Sequence, residues 1–257
     1  MARTLRSIID TLIHRRSLRR WERAASEAEA LDTAALRGLR SRGRQIRRQI
    51  DRLMHVADGR LALPLIGSNA IIKPINSDWA YRPELWRGPL TPPGLAAVQN
   101  KAQIGHEATI FHDCRVSELT LRQIRSTRES DLAPFGVRLD VFRFDGSFLS
   151  LVIDLPQEAA HSLRLKHVIR LDTVVELEKP LEIFARLNIK HGPNTEQIVR
   201  ELPLGEPDLM VEFDLAYTKM NEKRVEKMWI DLIFEGPEMN QIILRDLTIS
   251  RRPRAEL

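Results

Sequence analysis

Residues 181–190 read LEIFARLNIK, a stretch in which apolar side chains alternate with polar or charged ones. Residues 211–218 (VEFDLAYT) and 227–234 (KMWIDLIF) repeat the alternation. A period of two residues is typical of a β-strand with one face in the core and the other in water. These three stretches therefore predict a sheet with one dry face and one polar face.

The rest of the chain from residue 104 onward extends this pattern. Turn-forming pairs such as Asp145-Gly146 and Gly236-Pro237 separate the apolar runs. Many short strands without helices between them predict a mainly β fold, an antiparallel two-sheet β-sandwich of jelly-roll type. We expect strands near residues 106–112, 118–125, 137–144, 148–155, 168–177, 181–190, 196–202, 209–218, 226–234 and 241–250.

Two helices are predicted before the sandwich. Residues 4–29 carry apolar side chains at helical spacing, with arginines on the other side. Asp32 is suited to cap a second helix, in which residues 36–57 have apolar positions three and four apart, as in a coiled coil. We expect a basic helical arm over residues 1–60 that forms a hairpin, packs on the body or meets a partner chain.

Residues 61–103 are predicted to form an ordered linker to a β-sandwich domain over residues 104–257. Six of the 14 prolines lie between residues 64 and 93, and they disfavour a regular helix or a central strand. Trp79, Tyr81 and Trp86 lie among them, and large aromatic side chains need a surface to pack on.

The charge of the chain is divided unevenly. Residues 1–60 hold 15 arginines and 7 acidic residues, a net charge of +8, whereas the remaining residues carry −3. An anionic partner is therefore expected at the arm and not at the body. The single cysteine, Cys114, suits a reducing compartment, and no apolar run is long enough to span a bilayer. We expect a cytoplasmic protein.

Motifs of common enzymes do not occur in the sequence. It has no glycine-rich phosphate loop, and His106-Glu107 lacks the second histidine of a zinc protease motif. Cys114 is expected to be buried and inert. Glu212 and Asp231 could be paired for glycoside cleavage, but a solvated sheet face is the better interpretation. We predict no enzymatic activity, with a carbohydrate-active enzyme as the third choice.

Trp229 lies on the polar side of its strand and marks a candidate binding face. Indole stacks on the C–H groups of a sugar ring, while charged and amide side chains bind the hydroxyls. The opposing interpretation is that linker aromatics cover Trp229 in a second small core. The predicted carbohydrate-binding residues are Trp229, Asn188, Arg186, Glu212, Asp214 and Asp231.

The C-terminal sequence MWIDLIFEGP, then NQIILRDLTIS, resembles the closing strand pair of galactose-binding-like jelly rolls, which include many carbohydrate-binding modules. This resemblance covers about 25 residues, from Met228 to Ser250. It implies a structural calcium ion at Asp246. The whole chain, above all from Ser117 to Leu257, also resembles an uncharacterised bacterial domain family without an assigned activity.

The arginine-rich arm has four interpretations. It could be a solvated hairpin, an amphipathic helix on an anionic membrane, a nucleic-acid-binding segment, or, through residues 1–57, a partner helix that forms a homo-oligomer. Sequence-specific nucleic-acid binding is not expected, because no recognised motif is present. The residues predicted to meet a membrane or a partner are Arg15, Arg16, Arg19, Arg20 and Trp21.

These features together favour a non-catalytic protein that binds a glycan or polysaccharide. We expect it to act in the assembly of a surface polysaccharide from the cytoplasm, with a peripheral position at the inner membrane as one option. The alternative is a structural scaffold that binds another protein and oligomerises through its helices.

Overall fold

The computed structural model describes residues 2–62, 70–128, 130–205 and 208–254. The chain divides into two compact units, Met1–Met54 and His55–Leu257. None of the described helices is both long enough and apolar enough to cross a membrane.

The first unit is a helical hairpin. Helix α1 spans Ala2–Ser26, and helix α2 spans Thr33–Ala62 and continues past the first unit. Asp32 caps α2 as expected, since its Oδ1 accepts the Ala35 N–H at 2.7 Å. Trp21 of α1 lies against Gly43 of α2, where a Cβ atom would come within 3.6 Å of the indole ring. Trp21 and Gly43 therefore mark a point of contact between the two helices, where a Cβ atom would also fit.

The second unit is the predicted antiparallel β-sandwich, and this fold class is confirmed. In the described residues, the strands of one sheet (sheet A) are β1 (Trp79–Tyr81), β2 (Gly94–Leu95), β5 (Glu118–Arg125), β6 (Phe135–Arg143), β8 (His167–Leu177), β11 (Asp208–Asp214) and β13 (Asn240–Pro253). Those of the other (sheet B) are β3 (Ala102–Ile104), β4 (Ala108–His112), β7 (Leu149–Asp154), β9 (Ile183–His191), β10 (Asn194–Glu201) and β12 (Val225–Phe234).

The strands of sheet A follow the order β11-β8-β13-β6-β5-β2, with β1 paired to β13. The strands of sheet B follow the order β10-β9-β12-β7-β4-β3.

The core fills the space between the two sheets with the apolar side chains that the alternation predicts. Leu187 and Ile230 from sheet B and Leu171 and Phe213 from sheet A are fully buried. Two short helices, α3 (Glu84–Arg87) and α4 (Gln157–Ala160), complete the unit. Burial of these side chains is the main stabilising contribution, at about 1.5–3 kcal/mol for each large apolar residue.

The described part of the linker is integrated in the sandwich. Strand β1 pairs with the second half of β13, and β2 and β3 extend one sheet each. Trp86 is fully buried, and its indole N–H donates to the Leu244 carbonyl at 2.9 Å. The boundary between linker and sandwich at residue 104 stays a prediction, but described residues on both sides of it belong to the same sheets.

One strand is shorter than expected. The alternation at 209–218 suggested a single strand, but β11 ends at Asp214 and Leu215–Tyr217 form a 3-10 turn. Asp214 causes this change, since its carboxylate accepts the Ala216 N–H at 3.0 Å and caps the turn.

Candidate functional site

The outer face of sheet B brings together three of the predicted residues. Strands β9 and β12 are neighbours, with Asp231 directly opposite Arg186 and Trp229 opposite Asn188. Because alternate residues of a strand share a face, Arg186, Trp229 and Asp231 all point away from the core. They line a shallow depression of about 480 Å³. Its lining is Phe111, Phe148, Ser150, Val152, Arg186, Trp229, Asp231 and Ile233.

An ion pair forms the polar centre of the depression. Arg186 binds Asp231 Oδ2 through Nε at 2.7 Å and Nη2 at 2.5 Å. The Asp231 side chain is only 4% exposed, whereas that of Arg186 is 35% exposed. Asp231 Oδ1 is buried and has no hydrogen-bond partner among the described residues. A buried carboxylate oxygen without a partner is costly, so Asp231 Oδ1 has an unmet hydrogen-bonding capacity in the lining of the depression.

Ser150 supplies a second polar atom of the same kind. It lies on β7 between Phe111 of β4 and Ile233 of β12. The residue is 5% exposed, and its Oγ has no partner in the described part of the chain. Since Val152, two residues further on β7, is opposite Asp231, Ser150 and Asp231 are diagonal neighbours on one face. The lining of the depression thus contains a buried carboxylate oxygen and a buried hydroxyl, neither with a partner among the described residues, on diagonally neighbouring positions.

Aromatic side chains form the walls of the depression. Trp229 is half-buried, and Lys227 Nζ lies 5.7 Å from its ring centroid. Phe111 is half-buried and Phe148 is exposed. The linker aromatics do not cover this tryptophan, because Trp79 and Tyr81 belong to sheet A and Trp86 lies in the core. The interpretation of Trp229 as part of a second small core is therefore wrong.

Asp113 fixes the turn that carries Phe148. Its Oδ1 accepts the Ser147 N–H at 2.7 Å, and its Oδ2 accepts the Ser147 hydroxyl at 2.6 Å. The hydrogen bond from the Ser147 side chain is the main cause of a lowered pKa for the Asp113 carboxyl. Gly146 is needed here, because a Cβ atom at this position would lie 2.5 Å from Asp113 Oδ1. The turn therefore holds Phe148 at the rim in one place.

Asn188 does not line the depression. It is fully buried, its Nδ2 donates to the Arg186 carbonyl at 3.1 Å, and its Oδ1 accepts from Gln197 Nε2 at 3.0 Å. Its amide is committed to protein partners, and the structure does not bring it to the surface of the depression with Arg186, Trp229 and Asp231.

Glu212 and Asp214 are not part of this face either. Both lie on β11 of sheet A, on the other side of the sandwich. Glu212 accepts from Arg252 Nη2 at 3.1 Å, and Asp214 caps the 3-10 turn. Their prediction as members of the Trp229 face is wrong, because matching alternation does not reveal which sheet a strand joins. Because Glu212 lies on sheet A and Asp231 lies on sheet B, these two carboxylates do not form a pair for glycoside cleavage.

Asp246 does not fit the calcium site that the resemblance implied. Arg82 occupies both of its carboxylate oxygens, with Nε at 2.8 Å and Nη2 at 2.7 Å. Calcium requires six to eight oxygen ligands, and the described residues contain no group of three acidic, histidine or cysteine side chains that could hold a metal ion. A guanidinium group takes the position that a cation would take.

The predicted arm residues all lie on α1. Arg15, Arg16, Arg19 and Arg20 are exposed, and Trp21 is half-buried against Gly43. Cys114 is half-buried and not fully buried as expected, and burial raises the pKa of its thiol, which disfavours the thiolate form.

Glu84 and Glu107 bind one another's backbone, and we call this pair the reciprocal carboxylate clamp. It includes the His106-Glu107 segment that was compared above with a zinc protease motif. The Glu84 carboxylate accepts the backbone N–H groups of His106 and Glu107, and the Glu107 carboxylate accepts the Glu84 N–H at 2.8 Å and the Tyr81 hydroxyl. Burial is the largest cause of a raised pKa for both Tyr81 and Glu107. This cluster fastens the linker to the β3–β4 turn, and the described residues contain no group of three side chains here that could hold a zinc ion.

Five of the lining residues were not predicted, although three of them carried a signal in the sequence. Phe111 lies in the polar register of β4, between buried Ile110 and His112, just as Trp229 does in β12. Phe148 and Ser150 precede and follow buried Leu149 on the outer side of β7. Aromatic residues at polar positions of the alternation, namely Phe111, Phe148 and Trp229, therefore indicate this face from three segments of the sequence.

Fold and site together define a β-sandwich protein with an aromatic and polar depression on one outer face. The whole chain, residues 1–257, matches the family of unknown function DUF6478, and the protein belongs to that family. No curated protein is similar to it in sequence.

The matches among solved structures include carbohydrate-binding modules. A family 11 module from Clostridium thermocellum, in complex with a β-1,3-1,4-mixed-linked tetrasaccharide, is 10% identical with a TM-score of 0.39, over 63% of this chain and 97% of the module. The CBM22-1 xylan-binding domain from Paenibacillus barcinonensis is 9% identical with a TM-score of 0.38, over 63% and 94%. The expected resemblance to an uncharacterised family is confirmed.

A further match is the enzymatically active domain of tailspike protein 4 from Bacteriophage CBA120, 8% identical with a TM-score of 0.39. It covers 55% of this chain, which spans only about a fifth (19%) of the tailspike chain.

Proposed function

We propose that the protein is a non-catalytic glycan-binding protein whose site is the depression around Trp229 on sheet B. The observation that carries the proposal is the pair of unpartnered buried polar atoms, Asp231 Oδ1 and Ser150 Oγ, between aromatic walls. Sugars present hydroxyl groups and apolar C–H faces on the same ring. The depression presents the complementary groups within one surface.

Each residue has a definite part in this proposal. Trp229 stacks on the sugar ring, while Asp231 Oδ1 accepts one hydroxyl and Ser150 Oγ accepts or donates to its neighbour. Arg186 holds the Asp231 carboxylate in place and presents an exposed guanidinium edge to the ligand. Because the positive charge of Arg186 balances the negative charge of Asp231, the site favours a neutral sugar.

The absence of catalysis in this proposal follows from the carboxylates. Glycoside hydrolysis in most families uses two carboxyl groups about 5–10 Å apart. Asp231 is the one carboxylate among the described residues that line the depression, and it is committed to Arg186. A single ion-paired carboxylate is suited to hydrogen bonding and not to acid–base cleavage.

A glycan array probed with the full chain tests the proposal, with Trp229→Ala beside the wild type. We expect binding to at least one neutral glycan and a loss of at least about tenfold in affinity in the variant, as for a central aromatic contact. Tyr217→Ala is the matched control, because Tyr217 is an exposed aromatic residue on the other side of the sandwich. No binding on a broad array, or equal losses in both variants, would contradict the proposal.

A scaffold protein is the second candidate, and the exposed apolar residues Ile50 and Leu53 of the helical unit favour it. Such a protein would show a concentration-dependent mass by light scattering and no glycan binding. A role in surface polysaccharide assembly at the cytoplasmic face of the inner membrane belongs to the glycan proposal and stays a prediction.

A further inference from the structure

The helical unit exposes an apolar stripe along α2. We define this stripe as Leu39, Ile46, Ile50 and Leu53, whose spacing places them on one side of the helix. Ile46, Ile50 and Leu53 are between 42% and 66% exposed. Leu39, nearer the loop, is partly covered, whereas the three residues further along α2 are exposed. Ile13 of α1 is 61% exposed on the opposite side of this opening.

Arginines surround the stripe. In helical projection, Arg40 and Arg47 flank it on one side and Arg42 on the other, while Arg44 and Arg48 project from the back. The opening between the helices, about 830 Å³, also has Arg16 and Arg20 at its edges. Between described residues of the helical unit, one ion pair is formed by these arginines, Arg47 with exposed Asp51 at 3.5 Å.

We propose that the helical unit binds the surface of an anionic phospholipid membrane, with the apolar stripe inserted at the boundary between headgroups and acyl chains. The flanking guanidinium groups then lie at the level of the lipid phosphates, because long arginine side chains extend from an apolar surface towards charge. Trp21, half-buried in the hairpin beside the opening, has the chemistry of side chains that settle at this boundary. This inference concerns the helices and is independent of the glycan site.

Charge complementarity favours a membrane over the other occupants. A second copy of this unit would bring an equal excess of arginines to a surface that already carries one, and repulsion would oppose the pairing. A nucleic acid would satisfy the arginines but leave the apolar stripe in water. An anionic bilayer satisfies both features in one contact.

Co-sedimentation of the full chain with vesicles tests this proposal. The probes are vesicles of phosphatidylcholine with about one third phosphatidylserine, and vesicles of phosphatidylcholine alone. We expect binding to the first and at least a tenfold weaker affinity for the second, because arginines near the surface each strengthen binding to anionic lipid.

Ile50→Ser/Leu53→Ser separates insertion from simple charge attraction, since it keeps every arginine. We expect a roughly tenfold or larger loss of vesicle affinity, because two apolar side chains no longer leave water. Phe142→Ser/Met239→Ser is the matched control, for it removes two exposed apolar side chains from the sandwich and should bind as the wild type does. Circular dichroism verifies that both variants keep their helices.

Three results would overturn the proposal. Vesicle binding that is unchanged in Ile50→Ser/Leu53→Ser would show that the stripe is not inserted. A dimer in light scattering that the same variant dissociates would assign the stripe to a second copy. Binding to duplex DNA with no binding to anionic vesicles would assign the arginines to nucleic acid.

Discussion

Arg82 binds Asp246 through both carboxylate oxygens across 164 positions of sequence, and only about 1% of the arginine side chain is exposed. Arg82 directly follows β1. Asp246 lies in β13 at the point where the pairing with β8 shifts register, just after Leu244. A third bond runs from Arg82 Nη2 to the Ala70 carbonyl at 2.9 Å. This pair therefore ties the segment that enters the sandwich to its last strand.

Arg82→Met should destabilise the protein by about 3–5 kcal/mol, because it leaves the Asp246 carboxylate without its partner in a largely buried position. The free energy of unfolding from urea denaturation measures this change. Arg252→Met is the control, since Arg252 and Glu212 form a partly exposed pair whose loss should cost about 1 kcal/mol or less. Similar losses in both variants would show that burial does not govern the Arg82 pair.

Calcium should not stabilise this protein. Arg82 already satisfies both oxygens of Asp246, so no acidic cluster at this position is left to gain from a divalent cation. We expect the same Tm in millimolar calcium and in a chelator, measured by calorimetry. A clear rise of the Tm with calcium would mean that the ion displaces the guanidinium group.

Ser150→Ala should weaken glycan binding without weakening the fold. Its Oγ is buried and unpartnered, so removing it leaves stability unchanged or slightly higher, while the loss of one ligand hydrogen bond lowers affinity roughly three- to tenfold. Titration calorimetry and urea denaturation separate the two effects. Ser250→Ala is matched, because Ser250 Oγ is also buried and unpartnered but belongs to sheet A. If both variants bind glycan equally well, Ser150 has no contact with it.

Asp113→Asn should lower stability and glycan affinity at neutral pH, because Phe148 loses the turn that positions it. The pKa of Asp113 is lowered in the folded state, so its stabilising contribution is present above 3.8 and is lost as the pH falls further. The difference in urea midpoint between wild type and variant should therefore shrink in acid below this value. A difference that is constant with pH would exclude the carboxylate as its cause.

Much of the fold could be predicted from local pattern. The stretch at 118–125 coincides with β5, and that at 168–177 lies within β8, because each has a buried face that enforces a period of two. The strands at 79–81 and 94–95 were missed since they are too short to show a period and lie among prolines. The first and last residues of these strands are determined by pairing with residues distant in sequence, and the local pattern does not contain that information.

The candidate site shows the same division. The alternation in their strands predicted that Arg186, Trp229 and Asp231 lie on polar faces. The structure brings the three together because β9 and β12 are neighbours. Glu212 has the same alternation, yet the hydrogen bonds of β11 to β8 place it on the other sheet. The choice of sheet depends on contacts distant in sequence, and so does the depth of Asn188, whose amide is satisfied from β10.

The reciprocal clamp of Glu84 and Glu107 bears on the modular character of the domain. Each carboxylate binds the backbone beside the other glutamate, so the two segments complete one another on either side of residue 104. A fragment cut there would lose Trp86 from its interior and leave the Glu107 carboxylate with neither Tyr81 nor Glu84. We therefore expect a fragment that begins at residue 104 to be less stable than one that begins upstream of Trp79.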